Sequence, residues 1–279
     1  MISGTQIEVL LNEDVPYGDL TTTAMGIADK PGFMAFATRS NVVVAGVEEA
    51  AAVLRGLGLE VEVCHRSGDV LLPKTLVLQT RGSAGLLHCG WKVAQNLLEY
   101  CSGIATRTHD MVVKGRAVNP HLQIAATRKN FPGTKSLSAK AVLAGGGIIH
   151  RLGLSESFLL FDNHHNFFSS PAQLFAAVAA ARRKLPEKKI CVEVKNFEDA
   201  VQFAQAGAHV LQFDKNSPEE LREWIPRIRE KYPVIVIAAA GGVNADNIQN
   251  YARTGIDLVV TSWVYFGKPA DIAVCIQAS

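Results

Sequence analysis

No two of the five cysteines, Cys64, Cys89, Cys101, Cys191 and Cys275, share a Cys-x-x-Cys spacing, and their number is odd. That argues against a disulfide framework or a structural zinc site and suits a reducing, cytoplasmic setting. A long basic block is also missing. The 28 Lys and Arg residues against 26 Asp and Glu leave a formal charge of +2, so nucleic acid is not expected as a partner. No apolar run approaches the roughly 20 residues of a membrane span. The opening stretch MISGTQIEVLLNEDVPYGD has neither the basic start nor the apolar core of a secretory signal. Neither membrane insertion nor export is expected. No Gly-x-Gly-x-x-Gly turn follows any candidate strand, which weighs against a dinucleotide-binding, doubly wound sheet.

What remains is the composition of a well-cored globular protein, 48% hydrophobic and 19% charged over 279 residues. The first third alternates short elements. A helix over 6–11 precedes strands at 33–38, 41–46, 60–64 and 75–80, with a helix over 47–57 between them. This predicts a mixed α/β sandwich domain. A long helical stretch over 84–101 follows, with Leu87, Trp91 and Leu98 on one face, and continues over 104–114 towards the next domain. Beyond residue 120 the pattern changes to nearly all-apolar strands (122–127, 158–161, 190–194, 209–213, 234–238 and 258–261) separated by helices (135–143, 171–184, 197–206, 218–231 and 245–253). Strands of that kind belong to a parallel sheet covered on both faces, and an α/β barrel fits them better than a doubly wound sheet. The expected division is 1–104, 105–270 and a tail, 271–279, packing back on the first domain.

Functional groups of such a barrel gather at the C-terminal ends of its strands. In order these ends carry Arg128-Lys129, Asp162-Asn163-His164, Glu193, Asp214, Gly241-Gly242 and Thr261-Ser262. Arg128 and Lys129, together with His150-Arg151 behind the triple glycine 145–147, are costly to gather unless an anion lies between them. Glycines there let a backbone approach that anion. Glu193 and Asp214 suit a magnesium ion or sugar hydroxyls. Gly241-Gly242, ahead of a helix expected to begin near Asn244, offers free N–H groups to a phosphate. Each residue alone has a plain structural alternative, a helix cap or a tight turn; together they predict a phosphorylated sugar facing an anionic acceptor.

The ordered motifs Asn96, Ser102-Gly103-Ile104-Ala105-Thr106, Thr127-Arg128-Lys129, Pro132-Gly133, Gly145-Gly146-Gly147-x-x-His150-Arg151-x-Gly153-Leu154, Asp162-Asn163-His164, Glu193-Val194, Asp214 and Gly241-Gly242-Val243 resemble nicotinate-nucleotide pyrophosphorylase, or quinolinate phosphoribosyltransferase, over nearly the whole chain. The resemblance implies that the barrel is incomplete and open, with magnesium, phosphoribosyl pyrophosphate and a small anionic acceptor as site partners, and a homodimer or higher homo-oligomer. It implies catalytic roles for Lys129, Glu193 and Asp214, with the last two also holding the metal. Acceptor binding falls to Arg128, Lys129, His150, Arg151 and, from a partner subunit, Lys92. Gly241, Gly242 and Ser262 are implied at the phosphate.

Departures from the family pattern are equally specific. Phe161 replaces a lysine, Ala238 and Ala240 replace a glutamate and a serine, and Trp263 replaces a glycine. Together with Trp91-Lys92 and Asn130-Phe131, they resemble the paralogous pyrophosphorylase-like branch called ModD, associated with molybdenum transport. The expectation is a pentosyltransferase acting on an acceptor less charged than quinolinate. The alternatives are a genuine quinolinate enzyme and a non-catalytic oxyanion- or nucleotide-binding accessory protein.

Overall fold

A computed structural model describes residues 3–279. In chain order the elements are α1 (Gly4–Asp14), α2 (Leu20–Ala24), β1 (Pro31–Thr38), β2 (Val42–Val43), α3 (Val47–Gly56), β3 (Glu60–Val63), β4 (Val70–Leu71), β5 (Leu76–Ser83) and α4 (Ala84–Arg116). Then come β6 (Gln123–Ala126), α5 (Lys135–Ala144), β7 (Ile148–Ile149), β8 (Phe158–Leu160), α6 (Asp162–His165), α7 (Pro171–Lys184), β9 (Ile190–Val194), α8 (Phe197–Ala206) and β10 (Val210–Asp214). The last are α9 (Pro218–Lys231), β11 (Val236–Ala240), α10 (Ile248–Ala252), β12 (Leu258–Thr261) and β13 (Ile272–Ala278).

The chain groups into two compact units, one of residues up to 109 with 131–146 and 265–279, the other of 110–130 with 147–264. The division expected after residue 104 falls inside α4, which runs unbroken from 84 to 116. Ser102-Gly103 does not stop that helix. Ser102 Oγ accepts from the Ala45 amide at 2.9 Å, and a Cβ at Gly103 would lie 3.0 Å from the Lys268 carbonyl oxygen, so the glycine serves a close approach.

In the first unit, β13, β1, β5 and β3 form an antiparallel sheet in that order, and β2 pairs with β4. Along β1 exposure alternates, and Met34 and Phe36 are fully buried, as period-two side-chain placement requires. They join Val47, Ala50 and Leu54 of α3 and Leu87, Ala94 and Leu98 of α4 in one core. The expected strand over 41–46 shortens to Val42–Val43, since Val44 and Ala45 bond to Asp69 and Ser102 rather than to a strand.

The second unit holds seven parallel strands in the order β7-β6-β12-β11-β10-β9-β8. β7 and β8 are its two edges, so the barrel stays open between them. Ala125, Cys191, Val210, Ala238, Ala240 and Val260, drawn from five adjacent strands, fill the interior face. Helix starts follow capping chemistry: Ser170 with Pro171 opens α7, Asn196 opens α8, and Ser217 with Glu220 closes a capping box on α9.

Candidate active site

Strand alternation decides which groups face the barrel interior. From Cys191 and Val210 in the interior cluster, residues two apart place Glu193 and Gln212, then Lys195 and Asp214, on the same side. The register sets Glu193 directly beside Gln212, and Asp214 beside Ala240. Glu193 is half-buried, and Gln212 donates to its Oε2 at 3.4 Å. Burial, then the charges of Asp214 and Asp162, push the Glu193 carboxyl above its ordinary value. Two lysines stand by this acidic side of the mouth: Lys195, and Lys215, whose Nζ lies 4.0 Å from Asp214 Oδ2. Lys195 bonds to Asp162, and this contact is the main cause of its raised pKa.

Lys195 and the role of Asp162 escaped sequence reasoning, which read Asp162-Asn163-His164 as a strand end. Those residues instead begin the single turn α6, and His164 stacks edge-on against Phe161 with ring centroids 4.3 Å apart.

The cations lie just beyond β6 and β7. Arg128 and Lys129 follow β6 and are exposed. Arg151 is only 8% exposed. Burial, then the Arg128 guanidinium, lowers its pKa. Among the described residues no carboxylate pairs with Arg151 or Arg128 in a salt bridge, nor does either side chain make a hydrogen bond. Cations left in this way stand ready for an anion. The His150 amide donates to the Ala126 carbonyl at 3.0 Å, and burial, then Arg151, takes its imidazole below the usual value, so it is held neutral near pH 7.

Gly145, the first of the triple glycine, is required by packing. A Cβ at Gly145 would sit 2.4 Å from the Ala105 carbonyl oxygen and 2.7 Å from Thr108 Cβ, so this glycine admits α4. Lys92 belongs to the first unit. Its Nζ donates to Gln95 Oε1 at 2.7 Å and lies 4.0 Å from the Trp91 ring centroid.

The phosphate reading of the glycine pair changes in detail. The helix expected from residue 245 starts at Ile248. The amides of Asp246 and Asn247 bond to Asn244 Oδ1, and that of Asn244 to Asn247 Oδ1, so they are not free. Among the described residues the N–H groups of Gly242 and Val243 make no hydrogen bond and remain open to an anion. Gly241 is required by space: at φ +84°, its Cβ would lie 2.5 Å from Lys215 Cγ and 2.8 Å from Asp214 Oδ1. Lys215 itself adopts φ +64°, uncommon for a non-glycine residue and a strain sequence inspection missed. Ser262 is half-buried just beyond β12.

Among the described residues no three His, Cys, Asp or Glu side chains are arranged as a closed metal site. Glu193, with its raised proton affinity, and Asp214 are the carboxylates that would hold a hard cation here. Among the described residues no helix is long and apolar enough to cross a membrane.

Residues 19–102 match the N-terminal domain family, and 104–274 the C-terminal domain family, of quinolinate phosphoribosyl transferase. A relative from Rhodobacter capsulatus, "Putative pyrophosphorylase ModD", is 42% identical over 91% of this chain and 98% of its own length. Its namesake from Pasteurella multocida is 37% identical over 99% and 98%. The crystal structure of nicotinate-nucleotide pyrophosphorylase from Ehrlichia chaffeensis superposes with a TM-score of 0.89 at 25% identity, covering 99% of each chain.

Proposed function

The chain belongs to the quinolinate phosphoribosyl transferase family, and from that premise we propose that it transfers the phosphoribosyl group of phosphoribosyl pyrophosphate to a nitrogen heterocycle bearing one acid group. The observation that carries this reading is the division of the barrel mouth into an unpaired cationic side, Arg128 and Arg151, and an acidic side, Glu193 and Asp214.

The acid group of the acceptor lies against Arg128, Lys129 and Arg151, with neutral His150 supplying a hydrogen bond. A ring-nitrogen lone pair attacks the anomeric carbon; the new C–N bond forms as the bond to pyrophosphate breaks. Positive charge grows on the sugar meanwhile, and the carboxylates of Glu193 and Asp214 stabilise it and hold the ribose hydroxyls. Glu193 and Asp214 would also hold magnesium, which when bound neutralises charge on the departing pyrophosphate. The amides of Gly242 and Val243, with Ser262, receive the 5′-phosphate. Lys92 reaches the acceptor from a second copy in a homodimer. Phe161 supplies an aromatic surface where the related pattern has a cation, which favours an acceptor with one fewer negative charge.

The test is pyrophosphate release from magnesium and phosphoribosyl pyrophosphate across a panel of heterocyclic acids. Release is expected with a monoacid acceptor and not with quinolinate. Arg128→Ala should lower kcat/KM for that acceptor by about tenfold or more, the loss of one charge-assisted hydrogen bond. Glu193→Ala should abolish release. The similarity to the Ehrlichia chaffeensis enzyme supports a second reading, a quinolinate transferase; efficient turnover of quinolinate would establish it in place of the first. Molybdate binding without any pyrophosphate release would instead support an oxyanion-binding accessory protein.

A further inference from the structure

Gln212 is 4% exposed, yet its Oε1 has no hydrogen-bond partner among the described residues. A buried amide oxygen left in this way costs about 1–3 kcal/mol. The neighbours explain why the protein does not satisfy it. Gln212 stands on the interior face of β10, whereas Phe213 points away and stacks near Trp224 of α9 with centroids 5.8 Å apart. The side chain beside it on β9 is Glu193, an acceptor that already takes the Gln212 amide hydrogen. On β11 the neighbour is Ala238, which has nothing to donate. Above Ala238 comes Ala240, again a methyl group. None of these strand neighbours offers the missing donor.

We propose that Gln212 is a specificity-determining residue whose Oε1 accepts a hydrogen bond from the acceptor substrate. The substrate class this defines is a planar nitrogen heterocycle carrying an acid group and, on another edge, an N–H donor such as an amino substituent. The inference rests on the phosphoribosyl-transfer reading for placing the acceptor beside Glu193. A site built around a buried acceptor atom rejects a ligand that lacks the matching donor, because the atom is then left unpaired.

The test pairs pyridine-3-carboxylates that carry an amino group at ring position 2, 5 or 6 with methyl analogues of the same shape. Binding to the full-length protein is measured by calorimetry and pyrophosphate release in parallel. In the wild type at least one amino compound should bind about tenfold or more tightly than its methyl twin, the worth of one well-placed hydrogen bond. In Gln212→Met, of similar volume and without the amide, that ratio should fall to near one.

A preference that survives Gln212→Met, or no preference or no binding in the wild type, would overturn the assignment. A Gln212-dependent preference without pyrophosphate release would retain this inference and remove the transferase reading; release without preference would do the reverse.

Discussion

Glu193 is held by its neighbours in a state that its sequence position does not reveal. Burial and the charges of Asp214 and Asp162 raise its pKa above the ordinary carboxylate value, so it loses its proton later, as pH rises, than an isolated glutamate does. If the ionised form is the working one, kcat/KM for phosphoribosyl pyrophosphate falls on the acid side at a pH above 4.5. Asp162→Asn removes one repulsive charge and releases Lys195 from its ion pair; both changes favour the Glu193 carboxylate. The acid limb should move to lower pH in that variant, and a pH–rate profile that does not move would assign the limb to another group. The single motif Asp162-Asn163-His164 did not disclose this, because the partner, Lys195, comes from the end of a different strand.

At the scale of elements, the turns after β10 and β11 are packed against one another. The Lys215 amide donates to the Ala240 carbonyl at 2.8 Å, and Gly241 leaves the room that Lys215 and Asp214 occupy. Gly241→Ala combines a left-handed backbone, costing about 1–2 kcal/mol for a side-chain-bearing residue, with a collision that displaces Asp214. Gly242→Ala incurs only the first, since its φ is +82° but nothing lies within 4 Å of the added carbon. Thermal melts should therefore show the larger loss for Gly241→Ala, and pyrophosphate release should drop much further in that variant. Equal effects would mean that Asp214 does not depend on the turn. Most strand and helix positions followed from periodicity, including the strands that became β9, β10 and β12. β7 and β13 did not: two residues after a triple glycine, or seven at the end of the chain, become strands only when β6 and β1 offer edges to pair with.

For the molecule as a whole, acid stability of the first unit turns on one cluster. Lys140 bonds to Glu48 at 2.7 Å and to Glu49 at 2.8 Å, and Glu49 is 1% exposed. Burial opposes ionisation of Glu48, but hydrogen bonds from Lys140 and Ser67 overcome it and take its pKa down to about 2. A carboxylate with a depressed folded-state pKa adds stability that is present above its unfolded value near 4.5 and is lost as pH falls towards 2. Lys140→Met should lower the melting temperature at pH 7, by the equivalent of roughly 1–3 kcal/mol for losing charge-assisted hydrogen bonds in a partly exposed cluster, and should flatten the dependence of stability on pH between 4.5 and 2. An unchanged slope would place the acid-sensitive groups elsewhere.

Composition and periodicity determined the class of this protein: a mixed α/β domain followed by a parallel α/β barrel, with cations from the early strands and carboxylates from the middle ones. These features are local, written in spacing along the chain, and survive without coordinates. The tertiary structure decided what depends on registering one strand against the next. It set Gln212 beside Glu193 and Ala238 with an oxygen unsatisfied, assigned Gly145 to helix packing rather than to the anion, and covered the amides near Asn244 with side chains. Such relations join residues some twenty or more positions apart through backbone pairing, and no single-chain period encodes them.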